Sequence, residues 1–154
     1  SGADLREAEF RAATILEAKF DHANAERSSW TQAKCTKVDF RKMGLDNASF
    51  ALAVIRNCHF EGMSTDSVDF RSAVLDGCDL TGATFRRSNF SGTRFTKVRM
   101  AEVDLEGADF RNADMRGCLF HTGSARCGHV GSPIALEGSM TRFYDESFVD
   151  ETYV

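Results

Sequence analysis

The residues of this 154-residue chain with chemistry to offer are its acids, its four histidines and its five cysteines. Asp104, Glu106, Asp109 and Asp114 lie close in sequence, as a general acid and its base would if they met in space. Cys118, His121, Cys127 and His129 offer thiolate and imidazole, the ligands that zinc takes, but their spacing matches no zinc pattern. The four histidines share no block with one another and pair with no obvious nucleophile, and no glycine-rich loop sits between a strand and a helix to cradle phosphate. Whether the carboxylates converge depends on the elements that carry them.

Those elements repeat every five residues from Ala3 to Phe120. The positions divisible by five run Leu5, Phe10, Ile15, Phe20, Ala25, Trp30, Cys35, Phe40, Leu45, Phe50, Ile55 and Phe60, and continue in kind to Phe120; only Ala25, Cys35 and Thr65 are not large and apolar. Two residues before each anchor is a smaller one, as in Ala3, Ala8, Ala13, Ala18, Ala23 and Ser28. A spacing of two puts both on one side of extended chain. The other three residues are mostly polar, and Gly2, Gly62, Gly77, Gly82, Gly92, Gly107 and Gly117 fall two places after an anchor, where a corner needing positive φ favours glycine. Each block is therefore a short extended piece followed by a corner, and the chain coils around its own core. Aromatic anchors alternate with smaller ones, which stacks like on like only for an even number of faces. Cys58, Cys78 and Cys118, spaced by multiples of twenty, and Met43 and Met63, twenty apart, select four. The column Phe10, Trp30, Phe50, Phe70, Phe90 and Phe110 is the expected heart of the core.

The triplets Ala3-Asp4-Leu5, Ala108-Asp109-Phe110 and Ala113-Asp114-Met115 resemble the pentapeptide-repeat family, in which Ala, then Asp or Asn, then Leu or Phe precede two variable residues. The resemblance covers residues 1–122 and implies an all-β solenoid, a right-handed quadrilateral parallel β-helix of about six coils. With strands about 4.8 Å apart, that is a prism about 29 Å long. Some members of the family protect type II topoisomerases from quinolones by imitating the rod shape and charge of duplex DNA, so a gyrase-binding DNA mimic is one functional expectation.

Residues 123–154 read as a linker and cap. Gly123, Gly128, Gly131 and Pro133 break the period, and Met140, Phe143, Tyr144 and Phe148 suit a short amphipathic helix N-capped by Ser139, placed to cover the last coil. The ending Glu151-Thr152-Tyr153-Val154 also resembles a PDZ-domain ligand. The open edge of the first coil invites a cap or self-association. Cys35, Cys58, Cys78 and Cys118 fall at inward positions as small apolar fillers, with a Cys58–Cys78 disulfide as the alternative; a reducing, cytoplasmic setting is the default. No apolar run approaches membrane length.

A filled prism offers flat faces rather than a cleft, and it spreads Asp104, Glu106, Asp109 and Asp114 over three of them, so no catalytic residue, metal or cofactor is expected. Binding is the expected class. The face built on anchor 5 and its repeats carries Asp4, Glu7, Glu26, Asp46, Asp66, Asp104 and Glu106 against four arginines, a sum of −3. The opposite face carries Lys34, Lys37, Arg56, Arg94, Lys97 and Arg116 against Glu17, Asp76 and Asp114, a sum of +3. The net charge of −4 demands neither a polyanion nor a basic partner, and with no aromatic residues outside, direct nucleic-acid binding is not expected. Two features are candidate sites for an unidentified protein partner: the Glu26, Asp46, Asp66 column and the outward Leu52, Val54 and Val74 beside Ala51. The leading expectation is a non-catalytic interaction scaffold, alone or as the repeat module of a larger protein.

Overall fold

The computed structural model describes residues 2–115 and 118–119. The linker, the expected cap helix, the PDZ-like ending, and His121, Cys127 and His129 lie outside the described residues. Within them every pairing is parallel and joins a residue to the one twenty positions on, as Thr14 to Lys34, Ser49 to Asp69 and Arg94 to Asp114. One turn therefore takes four blocks.

At most corners the N–H of the small inward residue donates to the preceding anchor carbonyl, as Ala33 N to Trp30 O at 2.9 Å, whereas Val38 N donates to Cys58 Sγ and Val68 N to Ser88 Oγ. The residue two places after the anchor takes positive φ from Glu7 to Asn112, glycine or not. Lys42 is the exception among the described corners. Left-handed backbone disfavours L residues by about 1–2 kcal/mol each. Corners at Ala12, Leu52 and Arg87 adopt it all the same, because the ladder between turns fixes the path.

The residue before each anchor biases what the block becomes. Where it is Asp or Asn, its side chain captures the N–H two residues on: Asp39 Oδ1 accepts from Arg41 N at 3.1 Å, Asp69 from Arg71 N at 3.0 Å and Asn89 from Ser91 N at 2.9 Å. That Asx turn tightens the corner. The blocks that extend into strands all have Thr, Lys, Val, Ser or Arg there: β1 (Thr14–Leu16), β2 (Lys34–Thr36), β3 (Val54–Arg56), β4 (Ser64–Asp66), β5 (Val74–Asp76), β6 (Thr84–Arg86) and β7 (Arg94–Thr96); Lys19, Ser29 and Ser49 form single bridges instead. These strands gather on two faces, as a five-stranded sheet β1-β2-β3-β5-β7 and a two-stranded sheet β4-β6. The short β8 (Val98–Arg99) and β9 (Cys118–Leu119) pair on a third.

The interior is a filled aromatic lattice. Trp30, Phe50, Phe70, Phe90 and Phe110 stack with ring centroids 4.9–5.4 Å apart and planes within 14°. Phe40 and Phe60 form the facing stack and meet the first edge-on, as Phe40 meets Phe50 at 5.7 Å and 90°. Both geometries suit the ring quadrupole. Leu80 and Met100 leave that second stack short of rings, and Phe85 and Phe95 on the flanking faces fill the space, Phe85 lying 5.7 Å from Phe70. Trp30 is accommodated by the small anchors Ala25 and Cys35 on either side, and its Nε1 donates to buried Ser28 Oγ at 2.7 Å.

The ladder is broken at one place. No backbone bond joins Gly44 and Leu45 to Ser64, although Asn24 bridges Gly44 and Ser64 bridges Thr84. Here a corner-type block is followed, one turn on, by a strand-type block; the same order at Asp79 and Arg99 keeps its bridge. Met43 and Met63, large residues at the small inward position, are both buried beside the break. Asp46 fills the gap: its Oδ1 accepts from Asp66 N at 2.8 Å and from Thr65 Oγ1 at 3.1 Å.

Candidate interaction surface

The structure separates the two candidate surfaces. In the acidic column each carboxylate is engaged within the molecule. Glu26 lies 3.5 Å from Arg27, Asp46 is turned into the ladder gap, and Asp66 accepts from Ser67 Oγ at 2.9 Å and from the Arg87 guanidinium. Asp104, on the same face, is held by Arg86 at 2.7 Å. Other acids are held by arginine forks within one block. Arg41 keeps Asp39 down to about 2, chiefly through the side-chain hydrogen bond, and Arg6 does the same for Asp4. Arg111 lowers Asp109 in the same way. The Asp-x-Arg spacing that builds these forks at 4–6, 39–41, 69–71 and 109–111 is readable in the sequence, and face-by-face charge counting passed over it.

The apolar candidates come together. Val54 and Val74 are in-register partners at the start of β3 and β5, and both are half-buried. Leu52, 53% exposed, precedes them on the corner at φ 60°. The valines lie on the five-stranded sheet, in a column reading Lys34, Val54, Val74, Arg94 along the axis. Arg56 lies 3.9 Å from Asp76, and Lys37 2.9 Å from Glu17. Among the described residues Lys34 and Arg94 form no ion pair, and these two cations bracket an apolar centre. Apolar centre and charged rim is the anatomy of a protein interface. Leu16, 64% exposed on β1, was missed in the sequence; an apolar residue directly after an anchor is the signal that finds it.

Asp104 and Glu106 share Arg86, and Asp109 is held by Arg111. Cys35, Cys58, Cys78 and Cys118 are buried, the first three as free thiols, and burial pushes the Cys35 thiol up to about 12. Among the described residues no cluster of three or more acids, histidines or cysteines could hold a metal, and no helix is long and apolar enough to cross a membrane.

A twenty-residue turn of four blocks, with Ala and Asp before a Leu or Phe anchor, defines the pentapeptide-repeat β-solenoid. Residues 66–100 and 96–121 match the family profile described as pentapeptide repeats, in 8 copies. Residues 66–121 carry pentapeptide repeats, and the described turns before them keep the same twenty-residue register. No curated protein sequence matches it. Solved structures similar to it include HetL of the cyanobacterium Nostoc sp. strain PCC 7120, a pentapeptide-repeat protein involved in heterocyst differentiation regulation, at 17% identity and TM-score 0.47, over 78% of this chain and 60% of that one. This chain thus spans less than two thirds of HetL. Trypsin-treated QnrB1, a plasmid-mediated fluoroquinolone resistance protein, is 15% identical with TM-score 0.48 over 78% of this chain and 80% of that one. Rfr23 of the cyanobacterium Cyanothece 51142 is 16% identical with TM-score 0.46 over 78% and 85%.

Proposed function

We propose that this protein is a non-catalytic scaffold that binds a protein partner through the flat sheet face carrying Leu52, Val54 and Val74. The observation that carries the reading is the exposure of Leu52. A leucine more than half in water, held by a left-handed corner beside two half-buried valines, is apolar surface that the solenoid's own packing does not use. Engagement of Glu26, Asp46 and Asp66 within the molecule weighs against the acidic column as the contact.

Partner recovery from a lysate of the source cells, compared between wild type, Leu52→Asp and Glu26→Lys, tests the choice. The reading expects Leu52→Asp to lose a partner that Glu26→Lys retains; full retention by Leu52→Asp would overturn it. The alternative, a DNA mimic that binds gyrase, rests on the rod shape and the acids of the first face. It requires the purified protein to relieve quinolone inhibition of gyrase supercoiling, and no relief at a large molar excess ends it.

A further inference from the structure

Paired basic residues occupy the same two places after an anchor in two blocks, Arg41–Lys42 after Phe40 and Arg86–Arg87 after Phe85, and all four are exposed. The fold holds the two pairs differently. Arg87 has φ 53° and its N–H donates to Glu106 O at 2.8 Å, while Asp104 and Asp66 engage the two guanidinium groups. Lys42 does not take the left-handed conformation of the other corners. Among the described residues its N–H makes no bond to the turn below, its amine makes no ion pair, and His22 on the turn above makes no corner bond down to Arg41. The ladder gap at Leu45 and Ser64 comes directly after it, so no backbone bond ties residues 41–45 to the following turn. Towards the preceding turn they are held through Gly44, whose N–H reaches Ala23 O at 2.9 Å and whose carbonyl accepts from Ala25 N at 2.8 Å. On the turn beneath, Glu61 Oε2 is buried with no hydrogen-bond partner among the described residues, although its Oε1 lies 2.9 Å from His59 Nδ1. Opening this corner returns an unsatisfied carboxylate oxygen to water, whereas opening the corner at Arg87 breaks a complete ladder.

We propose that the Arg41–Lys42 corner is a processing site, at which a protease that cleaves after lysine or arginine cuts the folded molecule between Lys42 and Met43. The peptide C–N bond breaks by hydrolysis: the hydroxyl of water goes to the Lys42 carbonyl carbon and its proton to the Met43 nitrogen, with no change of oxidation state. Arg41 is occupied by its fork to Asp39, so Lys42 is the side chain that enters the protease. Cleavage requires the segment to leave the prism, and its rate follows the cost of that local opening. Exposed tips with few backbone bonds are where nicking concentrates. The cut molecule stays assembled, because Trp30 stacks on Phe50 at 5.4 Å and Phe40 on Phe60 at 4.9 Å across the cut. Gln32 N and Lys37 N also keep their bonds to Ala51 O and Arg56 O. This corner lies diagonally across the prism from Leu52, and the proposal does not rest on the binding assigned to that face.

Dilute trypsin on the full chain, followed by intact-mass spectrometry and amino-terminal sequencing, reads the cut. Within residues 2–115 the first cut should follow Lys42, about tenfold or more ahead of any cut after Arg86 or Arg87. In native gel filtration the two pieces should elute together at the volume of the uncut protein and part in urea. Arg41→Gln/Lys42→Gln should remove the early cut with unchanged circular dichroism. Asp46→Ala loosens the gap without touching the basic pair, and should speed the cut at Lys42 about threefold or more while leaving Arg87 as slow as before. A first cut elsewhere in residues 2–115, equal rates at the two basic pairs, pieces that part without denaturant, or a Lys42 rate unmoved by Asp46→Ala would overturn the proposal.

Discussion

Gly77 separates two demands that a corner makes on one residue. Its φ is +65°, and a Cβ there would lie 2.3 Å from Asn57 Oδ1 on the turn below; at Gly62 and Gly82 nothing lies within 4 Å of such a Cβ. Gly62→Ala and Gly82→Ala should each cost about 1 kcal/mol, the left-handed penalty alone, by urea unfolding. Gly77→Ala should cost more, with the excess vanishing when Asn57→Ala is added. Asp39 makes the electrostatic case. Its fork to Arg41 holds the carboxyl down to about 2, against about 3.9 in unfolded chain. A depressed acid stabilises the fold above its unfolded value, and that contribution is lost as pH falls from about 4 through 2. An NMR titration of the Asp39 carboxyl should show the low midpoint, and Arg41→Met should return it to the ordinary range.

Strands and corners compete for each block, and at one junction of the two kinds the ladder fails. The ladder is missing between Gly44 and Ser64, and the Asp46 carboxylate substitutes for it. Asp46→Ala leaves Asp66 N and Thr65 Oγ1 without their acceptor and should cost about 1–3 kcal/mol. Asp46→Asn keeps an Oδ1 acceptor and should cost less. Native-state hydrogen exchange should find the Leu45 and Ser64 amides faster than those of Ala25 and Thr84, which have ladder partners at 2.8 Å. Protection at Leu45 equal to that at Ala25 would show the gap closed in solution.

Across the whole molecule, contacts run from each turn to the next, so stability is close to a sum of neighbour terms and the ends are the weak points. Phe70 is fully buried between Phe50 and Phe90, whereas Phe10 on the first described turn is only partly buried against Trp30. Phe70→Ala should cost about 3–5 kcal/mol and Phe10→Ala distinctly less, measured by denaturant midpoint. Equal losses would mean that the first turn is covered in solution.

The period of five, the inward pairing of a small residue with a large one, the positive-φ corner and the four-block turn were all legible in the residues, because each is a local or strictly repeating constraint. So was the apolar group at Leu52, Val54 and Val74. The acidic column was legible only as a stack of like charges. Which arginine reaches which acid depends on side-chain direction across turns, as for Arg87 with Asp66 and Arg86 with Asp104, and sequence spacing does not carry that. The ladder gap was hidden for a similar reason. Gly44 and Ser64 each obey the repeat, and only their stacking places a corner over a strand. The sequence by itself determined the tube and its contents; the tertiary structure decided which outward groups neutralise one another and which remain facing water, because that outcome turns on distances between turns twenty residues apart.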